Sequence, residues 1–411
     1  MSDGAAAGLR VLMLSLNYAP EEIGIGPYST GLATMLSARG AAVEVVAGTP
    51  YYPQWRRWNG WKQHSARMED GVKVTRVRHY VPSRPTGAKR LAHHASFAAA
   101  ALPAMRAAAG RLHPQIVFAV APSLIAFPAA RRAARKAGAK TWLHIQDLEV
   151  EAALETGLLS GGAARKAATA FERSMLQSAD RISTISPQMA RRIVGKGVPA
   201  ERVTEVRNWA NHDAEPDPAS ASQPLAEGRK LLLYSGNIGN KQGLNTVIAA
   251  ARLLADRSDL EFLICGEGPN RERLEAQARG LENVGFAPLQ PADRVAAMLR
   301  SAYLHLLPQI AGAADLVLPS KLANMLASGR PIVATAAPGT GVAEEVEGHG
   351  LVVEPGDPAA LAGAIASLAD DPDNANRLGA AGRARAAARW SAESVIDGLI
   401  PELRALAGLA G

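Results

Sequence analysis

The sequence predicts an α/β protein made of two doubly wound parallel sheets in tandem. Three observations carry that expectation. Short β-rich runs alternate with helical patterns along the whole chain, several of the runs are almost continuously apolar, and the rhythm stops once, at residues 211–228, before starting again. Near-continuous apolar strands belong to parallel sheets buried on both faces, and βα alternation is how such sheets are wound. A length of 411 residues suits two domains of this kind.

Taken in order, the first half offers strands at residues 9–16, 42–47, 72–77, 115–120, 140–145, 181–185 and 203–206. Helical patterns lie between them, such as residues 28–39, where Tyr28, Leu32, Met35 and Leu36 share a face. Residues 211–228 (NHDAEPDPASASQPLAEG) have no periodicity and are rich in Pro, Ser, Ala and acidic residues, the composition of a linker. The second half then offers strands at 230–234, 261–265, 304–307, 331–334 and 351–353. The expected division is a first domain at 1–210, the linker, a second domain at 229–390 and a C-terminal helix at 391–411. That helix places Val395, Leu399, Leu403 and Leu406 on an apolar face, and Pro401 is expected to kink or break it. It can cap its own domain or cross back onto the first. Ligands of doubly wound sheets bind beyond the carboxyl ends of the strands, so two such sheets facing each other would form an interdomain cleft.

Composition narrows the class of protein. Hydrophobic residues make up 48% and charged residues 20%, which supports sizeable cores and excludes global disorder. The single cysteine, Cys265, excludes an internal disulfide framework and a Cys-based zinc site, and fits a reducing compartment. The N-terminus (MSDGAAAGLR) lacks the pattern of a signal peptide, and no apolar run approaches the ~20 residues of a membrane-spanning helix. A soluble, cytoplasmic protein is expected. The net charge of +7 hides a division: residues 1–212 carry 28 Lys+Arg against 14 Asp+Glu, and residues 213–411 carry a net −7.

The basic half contains Arg56, Arg57, Trp58 and the stretch at 89–106 (KRLAHHASFAAAALPAMR), beginning with Lys89 and Arg90. Trp, Phe, Leu and Met among cations suit an anionic membrane surface: apolar wedges with electrostatic attraction. Nucleic acid would suit the charge as well, but aromatics are only 5% and no helix-turn-helix, ribonucleoprotein or zinc pattern appears. No nucleic-acid partner is expected.

Several strand ends carry residues suited to chemistry. The first strand runs into residues 17–28 (NYAPEEIGIGPY), where Gly24 and Gly26 either let backbone N–H groups approach an anion at a helix start or serve turn geometry alone. The spacing is not G-x-G-x-x-G and no acidic residue ends the second strand, which disfavours a nicotinamide dinucleotide. The strand at 140–145 leads into His144-Ile-Gln-Asp147; His144 can donate to a sugar hydroxyl or phosphate, with Asp147 orienting it or meeting the acceptor, or His144 can be a satisfied core residue. In the second half Ser235, Gly236 and Asn237 lead to Lys241, a cation placed to neutralise a leaving diphosphate even though a helix start disfavours it. Gly266 and Gly268 form another carboxyl-edge turn. In residues 312–330 (GAADLVLPSKLANMLASGR), Lys321, Asn324 and Ala327 fall at helical spacing with Asp315 just upstream. Asp371-Pro-Asp373 reads as a turn, not as a metal-binding D-x-D, and Glu344, Glu345 and Glu347 read as a solvated acidic face. No metal site is expected.

As an ordered set, residues 17–28, His144, residues 235–243 (SGNIGNKQG), Gly266-Glu-Gly268 and residues 319–329 (PSKLANMLASG) resemble family 4 retaining glycosyltransferases. Residues 49–55 (TPYYPQW) and 312–321 (GAADLVLPSK) are most similar to the branch that builds exopolysaccharide and capsule repeat units, including colanic-acid-type fucosyltransferase-like proteins.

The resemblance implies a GT-B fold, two Rossmann-like domains with the donor mainly in the second and the acceptor in the first. It implies a retaining hexosyl transfer from a UDP- or GDP-sugar to a polyprenyl-diphosphate-linked or other saccharide in exopolysaccharide, capsule or O-antigen synthesis, with no metal or other cofactor. It places the protein peripherally on the inner face of the cytoplasmic membrane. By likeness Gly24 and Gly26 lie against the donor phosphates, His144 meets the transferred sugar and Lys241 neutralises the diphosphate. Ser235, Gly236, Asn237, Gly266, Gly268, Ala287, Leu289, Asp315, Leu316, Val317, Ser320, Lys321 and Asn324 complete the donor site. Tyr28, Trp55, Arg56, Arg57, Trp58, Lys89 and Arg90 are the expected acceptor or membrane contacts. Many members carry Arg where Asn237 stands, so Lys321 is the expected replacement for a missing cation. Many also carry two Glu residues that here align near Asp315 or Leu316 and with Asn324. Two rival readings stand beside the transferase: another GT-B enzyme such as a nucleotide-sugar epimerase, which would need acidic residues near the anomeric carbon, and a non-catalytic nucleotide-sugar-binding assembly subunit.

Overall fold

The computed structural model describes residues 4–61, 65–151, 161–210, 228–310 and 320–409, with backbone alone at Ala292 and Ser320. The chain divides into two compact units: Met1–Asn208 joined by Ala392–Gly411, and Trp209–Ser391. The expected linker at 211–228 lies outside the described residues except for Gly228.

The first unit runs β1 (Arg10–Ser15), α1 (Gly26–Ala38), β2 (Ala42–Gly48), β3 (Ser65–Glu69), β4 (Val72–Val77), α2 (Gly87–Leu112), β5 (Ile116–Ala121), α3 (Phe127–Ala137), β6 (Lys140–Ile145), α4 (Gly162–Gln177), β7 (Arg181–Thr184), α5 (Pro187–Gly195) and β8 (Val203–Glu205). Its sheet has the order β3-β4-β2-β1-β5-β6-β7-β8. Every pairing is parallel except β3 with β4. β5 is buried at all six positions, the expected signature of a central parallel strand. Leu12, Leu14, Val46, Val117 and Leu143 from the strands meet Phe97, Met105, Phe127 and Ala130 from α2 and α3 in one core.

The second unit runs β9 (Lys230–Ser235), α6 (Leu244–Leu253), β10 (Leu260–Cys265), α7 (Arg271–Gln277), β11 (Val284–Ala287), α8 (Ala292–Ser301), β12 (Leu304–Pro308), α9 (Ser320–Ala327), β13 (Ile332–Thr335), α10 (Gly341–Val346), β14 (Gly350–Val353), α11 (Pro358–Asp370) and α12 (Pro372–Arg389). Its sheet, β11-β10-β9-β12-β13-β14, is parallel throughout. The chain ends with α13 (Ala392–Leu406), which belongs to the first unit. Ile396, Leu399, Ile400 and Leu403 of α13 are buried, Arg39 Nε donates to Asp397 at 2.7 Å, and Thr204 Oγ1 donates to Glu402 at 2.8 Å.

Several expectations are refined. Of the kink or break expected at Pro401, the break does not occur: α13 runs through the proline, because burial on both sides of it holds a helix that lacks one N–H donor. Its buried stripe keeps the expected Leu399 and Leu403 and adds Ile396 and Ile400, and that of α1 keeps Leu32 and Leu36 and adds Ser29 and Ala33, while Val395, Leu406, Tyr28 and Met35 are half-buried. Glu345 is not solvated: it is buried, with Arg385 Nε at 2.9 Å and Arg389 Nη1 at 3.6 Å. β3 and β11 went unread. β3 (SARME) is an exposed edge strand without an apolar run, although the Asp70-Gly71 turn, both residues at positive φ, is a hairpin signal. β11 (VGFA) is only four residues long.

The 89–106 stretch also differs from a membrane-inserting segment. It forms most of α2, and its Phe97 and Met105 are buried in the core and cannot act as wedges. Trp55 packs on the same core. Trp61 is covered by the guanidinium groups of Arg67 and Arg76, 4.4 and 5.0 Å from its ring centre. Its exposed side chains include Leu91, Lys89, Arg90 and Arg106.

Candidate active site

In the second unit the carboxyl ends of β9, β10, β11 and β12 gather at one edge of the sheet, and their turns are laced together by backbone. Gly236 N–H donates to Cys265 O at 2.9 Å, Ile238 N–H to Glu267 O at 2.8 Å, Gly266 N–H to Ala287 O at 3.0 Å and Ile310 N–H to Lys241 O at 3.2 Å. The approach is close enough to demand glycine. A Cβ on Gly266 would lie 1.9 Å from Gly236 O, and one on Gly268 would lie 2.4 Å from Ile238 O. Turn packing therefore accounts for these two glycines directly. The Ala287 carbonyl is also committed, since it accepts from Gly266 N–H and from Arg271 Nη1 at 2.9 Å.

Polar and apolar groups line this edge. Asn237 and Lys241 are exposed, Lys241 on the 3₁₀ turn Asn240–Gln242 just before α6. Lys321, in the first turn of α9, sits with Nζ 4.1 Å from the centre of the Tyr234 ring and 3.4 Å from Ser235 O. Its alkyl chain lies 3.5 Å from where a Gly236 Cβ would be. Burial pushes the Lys321 ammonium down to about 7. Asn324 follows on the same helix, half-buried. Leu289 and Ile310 are exposed at 63% and 41%, two apolar side chains on an otherwise polar rim. Asp315, Leu316 and Val317 lie outside the described residues, as does the side chain of Ser320.

Sequence reasoning missed Arg271. Its guanidinium reaches Gly266 O at 2.6 Å, Ala287 O at 2.9 Å and Glu275 at 2.8 Å, pinning the turns after β10 and β11. An Arg three residues after a G-x-G turn, opening a helix, is the signal that was available.

In the first unit the loop after β1 is fixed by a second unread residue, Glu21. Buried to 2% exposure, its carboxylate accepts from the N–H groups of Tyr51 (2.8 Å) and Tyr52 (2.9 Å) and from Asn17 Nδ2 (2.8 Å). Burial raises its pKa against these hydrogen bonds. Gly26 is required here because a Cβ would lie 2.6 Å from Glu21 O. Gly24, at φ +74°, faces the Tyr52 ring, 3.2 Å from a would-be Cβ. Tyr28 is half-buried on the first turn of α1.

His144 ends β6 as expected, buried and with both ring nitrogens engaged. Gln146 Nε2 donates to Nε2 at 3.1 Å, which leaves the proton on Nδ1 to donate to Ser183 Oγ at 2.8 Å. Trp142 Nε1 also donates to Ser183 Oγ, and Asn208 Nδ2 to Gln146 Oε1, each at 2.8 Å. Burial pushes the imidazole down to about 4, so it is neutral at physiological pH. Ser183 and Gln146 orient this ring, not Asp147, whose side chain is exposed.

Around the loop after β2, Tyr51 contacts Trp55, His79 and His93 with ring centres 5.4, 5.5 and 4.6 Å apart. Arg90 lies 5.4 Å from the Trp55 ring centre. Arg57 Nη2 donates to His79 O at 3.0 Å and Trp58 Nε1 to Gln54 at 2.9 Å, while Arg56 is exposed. Of the expected contact residues, Trp55, Arg57, Trp58 and Arg90 are tied to this loop, with Trp55 and Arg57 committed to the fold.

Comparison with known proteins decides the family. Residues 24–209 match the model of the glycosyl transferase 4-like domain and residues 217–385 that of glycosyl transferases group 1. The chain is 42% identical over 376 residues to the putative colanic acid biosynthesis glycosyl transferase WcaI of Escherichia coli K12, covering 87% of this chain and 91% of that protein. The chain belongs to the family 4 glycosyltransferases. A shorter match, 31% identical over 33% of the chain and 35% of the relative, is to the 2-deoxystreptamine N-acetyl-D-glucosaminyltransferase of Niallia circulans. Among solved structures, a sucrose-phosphate synthase of Thermosynechococcus elongatus superposes with a TM-score of 0.69 at 18% identity, covering 97% of this chain and 99% of the other. Anabaena HepE in complex with UDP superposes at 0.66 and 15% identity, over 97% of this glycosyltransferase and all of that chain. These likenesses give the transferase its fold, GT-B.

Proposed function

We propose that this glycosyltransferase moves a sugar from a UDP- or GDP-sugar to a lipid-linked saccharide in exopolysaccharide synthesis, retaining the anomeric configuration and using no metal. The observation that carries the reading is the 42% identity to a protein named for colanic acid biosynthesis, sustained over nine-tenths of that relative. The carboxyl edge of the second unit supports it: two lysines, Lys241 and Lys321, stand with Asn237 and Asn324 at the strand ends, and Leu289 and Ile310 offer apolar surface for a base. UDP is bound by HepE, which shares the fold.

In this reading the second unit holds the nucleotide diphosphate. Charge builds on the departing phosphate as the sugar becomes oxocarbenium-like, and a preformed cation stabilises that charge most where water is excluded. Lys241 is the exposed cation; Lys321, its ammonium lowered to about 7 by burial, regains its charge when a diphosphate arrives. The leaving phosphate takes the acceptor's proton, so no dedicated base is needed. The first unit receives the acceptor, and His144, neutral, offers Nε2 to a sugar hydroxyl when Gln146 turns aside.

Thermal unfolding with UDP, GDP and their sugars tests the donor site. At 100-fold over Kd, binding adds about 2.7 kcal/mol, a rise of several degrees. Product anomer by NMR tests retention, and turnover in EDTA tests metal independence. If neither nucleotide shifts the transition, the donor-site reading is wrong. An inverted product would overturn the stereochemistry alone.

A further inference from the structure

Part of the Lys and Arg of the first unit is neutralised within it. Arg39 pairs with Asp397, Arg76 with Glu69, Arg111 with Glu44, and Lys196 with Glu172. The adjoining helices α2 and α3 concentrate cations that, Arg111 apart, no carboxylate answers among the described residues. They span 26 and 11 residues, carry four Lys or Arg each, and contain no Asp or Glu. Arg106, Arg132, Arg135 and Lys136 line one groove between them, all four exposed. None of the four pairs with a carboxylate among the described residues. Lys136 Nζ lies 4.0 Å from where a Gly110 Cβ would be, so the α2 side of the groove is low. Along α3, Arg131 faces Arg135 and Arg132 faces Lys136 at i, i+4 spacing, where like charges destabilise an isolated helix. A surface that concentrates repulsion in this way is complementary to an anionic partner.

We propose that the α2–α3 groove of Arg106, Arg132, Arg135 and Lys136 docks the protein on the phosphates of an anionic bilayer. This rests on the reading that the acceptor is carried by a membrane lipid. It moves the contact away from the aromatic segment at residues 55–61, whose Trp55 and Trp61 are engaged in the fold, to a face that attracts without inserting. Leu91 and Tyr80, exposed at 58% and 44% near the start of α2, are the apolar groups left to touch the interface. No exposed aromatic side chain stands beside the four cations to stack bases, which favours lipid over a single-stranded nucleic acid.

The test is sedimentation of the full chain with vesicles of phosphatidylcholine alone or with 30% phosphatidylglycerol, alongside a fluorescent RNA. Wild type is expected on the anionic vesicles only, with release as salt rises. Arg132→Glu with Arg135→Glu is expected to lower partitioning at least ~100-fold, at roughly a factor of five per charge near the surface. Lys89→Gln with Arg90→Gln is expected to lower it less. The nucleotide-induced thermal shift, measured on the same variants, is expected to persist and reports the second unit, while wild-type far-UV and near-UV circular dichroism reports that the first unit is folded. Equal binding to neutral vesicles, an unaffected double-Glu variant, a larger loss from the Lys89/Arg90 pair, or tighter capture of RNA would each overturn the proposal. No vesicle binding by wild type, with the nucleotide shift intact, would overturn it and leave the donor reading standing.

Discussion

Two side chains decide the local chemistry more than their visibility in the sequence would suggest. Glu21 holds three donors in a buried position, so Glu21→Ala leaves the Tyr51 and Tyr52 amides without an acceptor and is expected to cost the first unit about 2–4 kcal/mol. Glu21→Gln keeps an oxygen for both amides and is expected to cost about half as much; urea denaturation compares them, and equal losses would count against the hydrogen-bond account. Lys321 makes a pH-dependent prediction. Its ammonium is lowered to about 7, and an anionic diphosphate favours the protonated form, so binding takes up a proton. Nucleotide affinity is then greatest near pH 7 and falls toward pH 9, while Lys321→Arg, which stays charged, flattens the profile. Calorimetry across that range, in buffers of differing ionisation enthalpy, reads the proton directly. The sequence showed Lys321 by its helical spacing but could not show the Tyr234 ring beneath it. Glu21 gave no signal beyond its place in a loop, because two of its three partners are backbone groups 30 and 31 residues away.

At the scale of elements, strand order and the βα rhythm were legible because buried parallel strands are apolar runs, as in β5 and β9. The edge strand β3 was not, since an exposed edge has no such run and its clue was a turn. Half of each helix face was legible in α1 and α13, as Leu32 and Leu36 and as Leu399 and Leu403, and Ala, Ser and Gly blur the rest of the stripe. The chain order alone would place α13 with the second unit, yet its buried stripe and its bonds to Arg39 and Thr204 tie it to the first. Removing residues 392–411 is expected to lower the stability of the first unit by at least ~3 kcal/mol, from four buried aliphatic side chains at roughly 1.5–3 kcal/mol each less the ordering they require. Pro401→Ala, by contrast, restores a helical donor at an exposed site and is expected to raise stability by about 1–3 kcal/mol. Calorimetric unfolding checks both. An unchanged transition in the truncated protein would contradict the assignment of α13.

For the molecule as a whole, the charge division acquires a structural basis. More than half of the +14 of the first half lies on α2 and α3, which carry eight cations and no acidic residue of their own, and the −7 of the second half accompanies a strand edge where a few placed groups stand beside Lys241 and Lys321. Family membership follows from motifs that are spread along the chain and weak singly, and two of them, Gly266 and Gly268, are explained as much by backbone packing as by a ligand. Residues 311–319, on which part of the resemblance rests, lie outside the described residues. The central claim is that Lys241, on the turn between β9 and α6, stabilises a departing diphosphate. The most direct measurement is steady-state release of UDP or GDP from the donor that shifts the protein's unfolding, in the presence of lipid-linked acceptor, for wild type and Lys241→Ala. The account predicts a fall in kcat of about 10²–10³-fold with a much smaller change in donor KM; an unchanged kcat would contradict it.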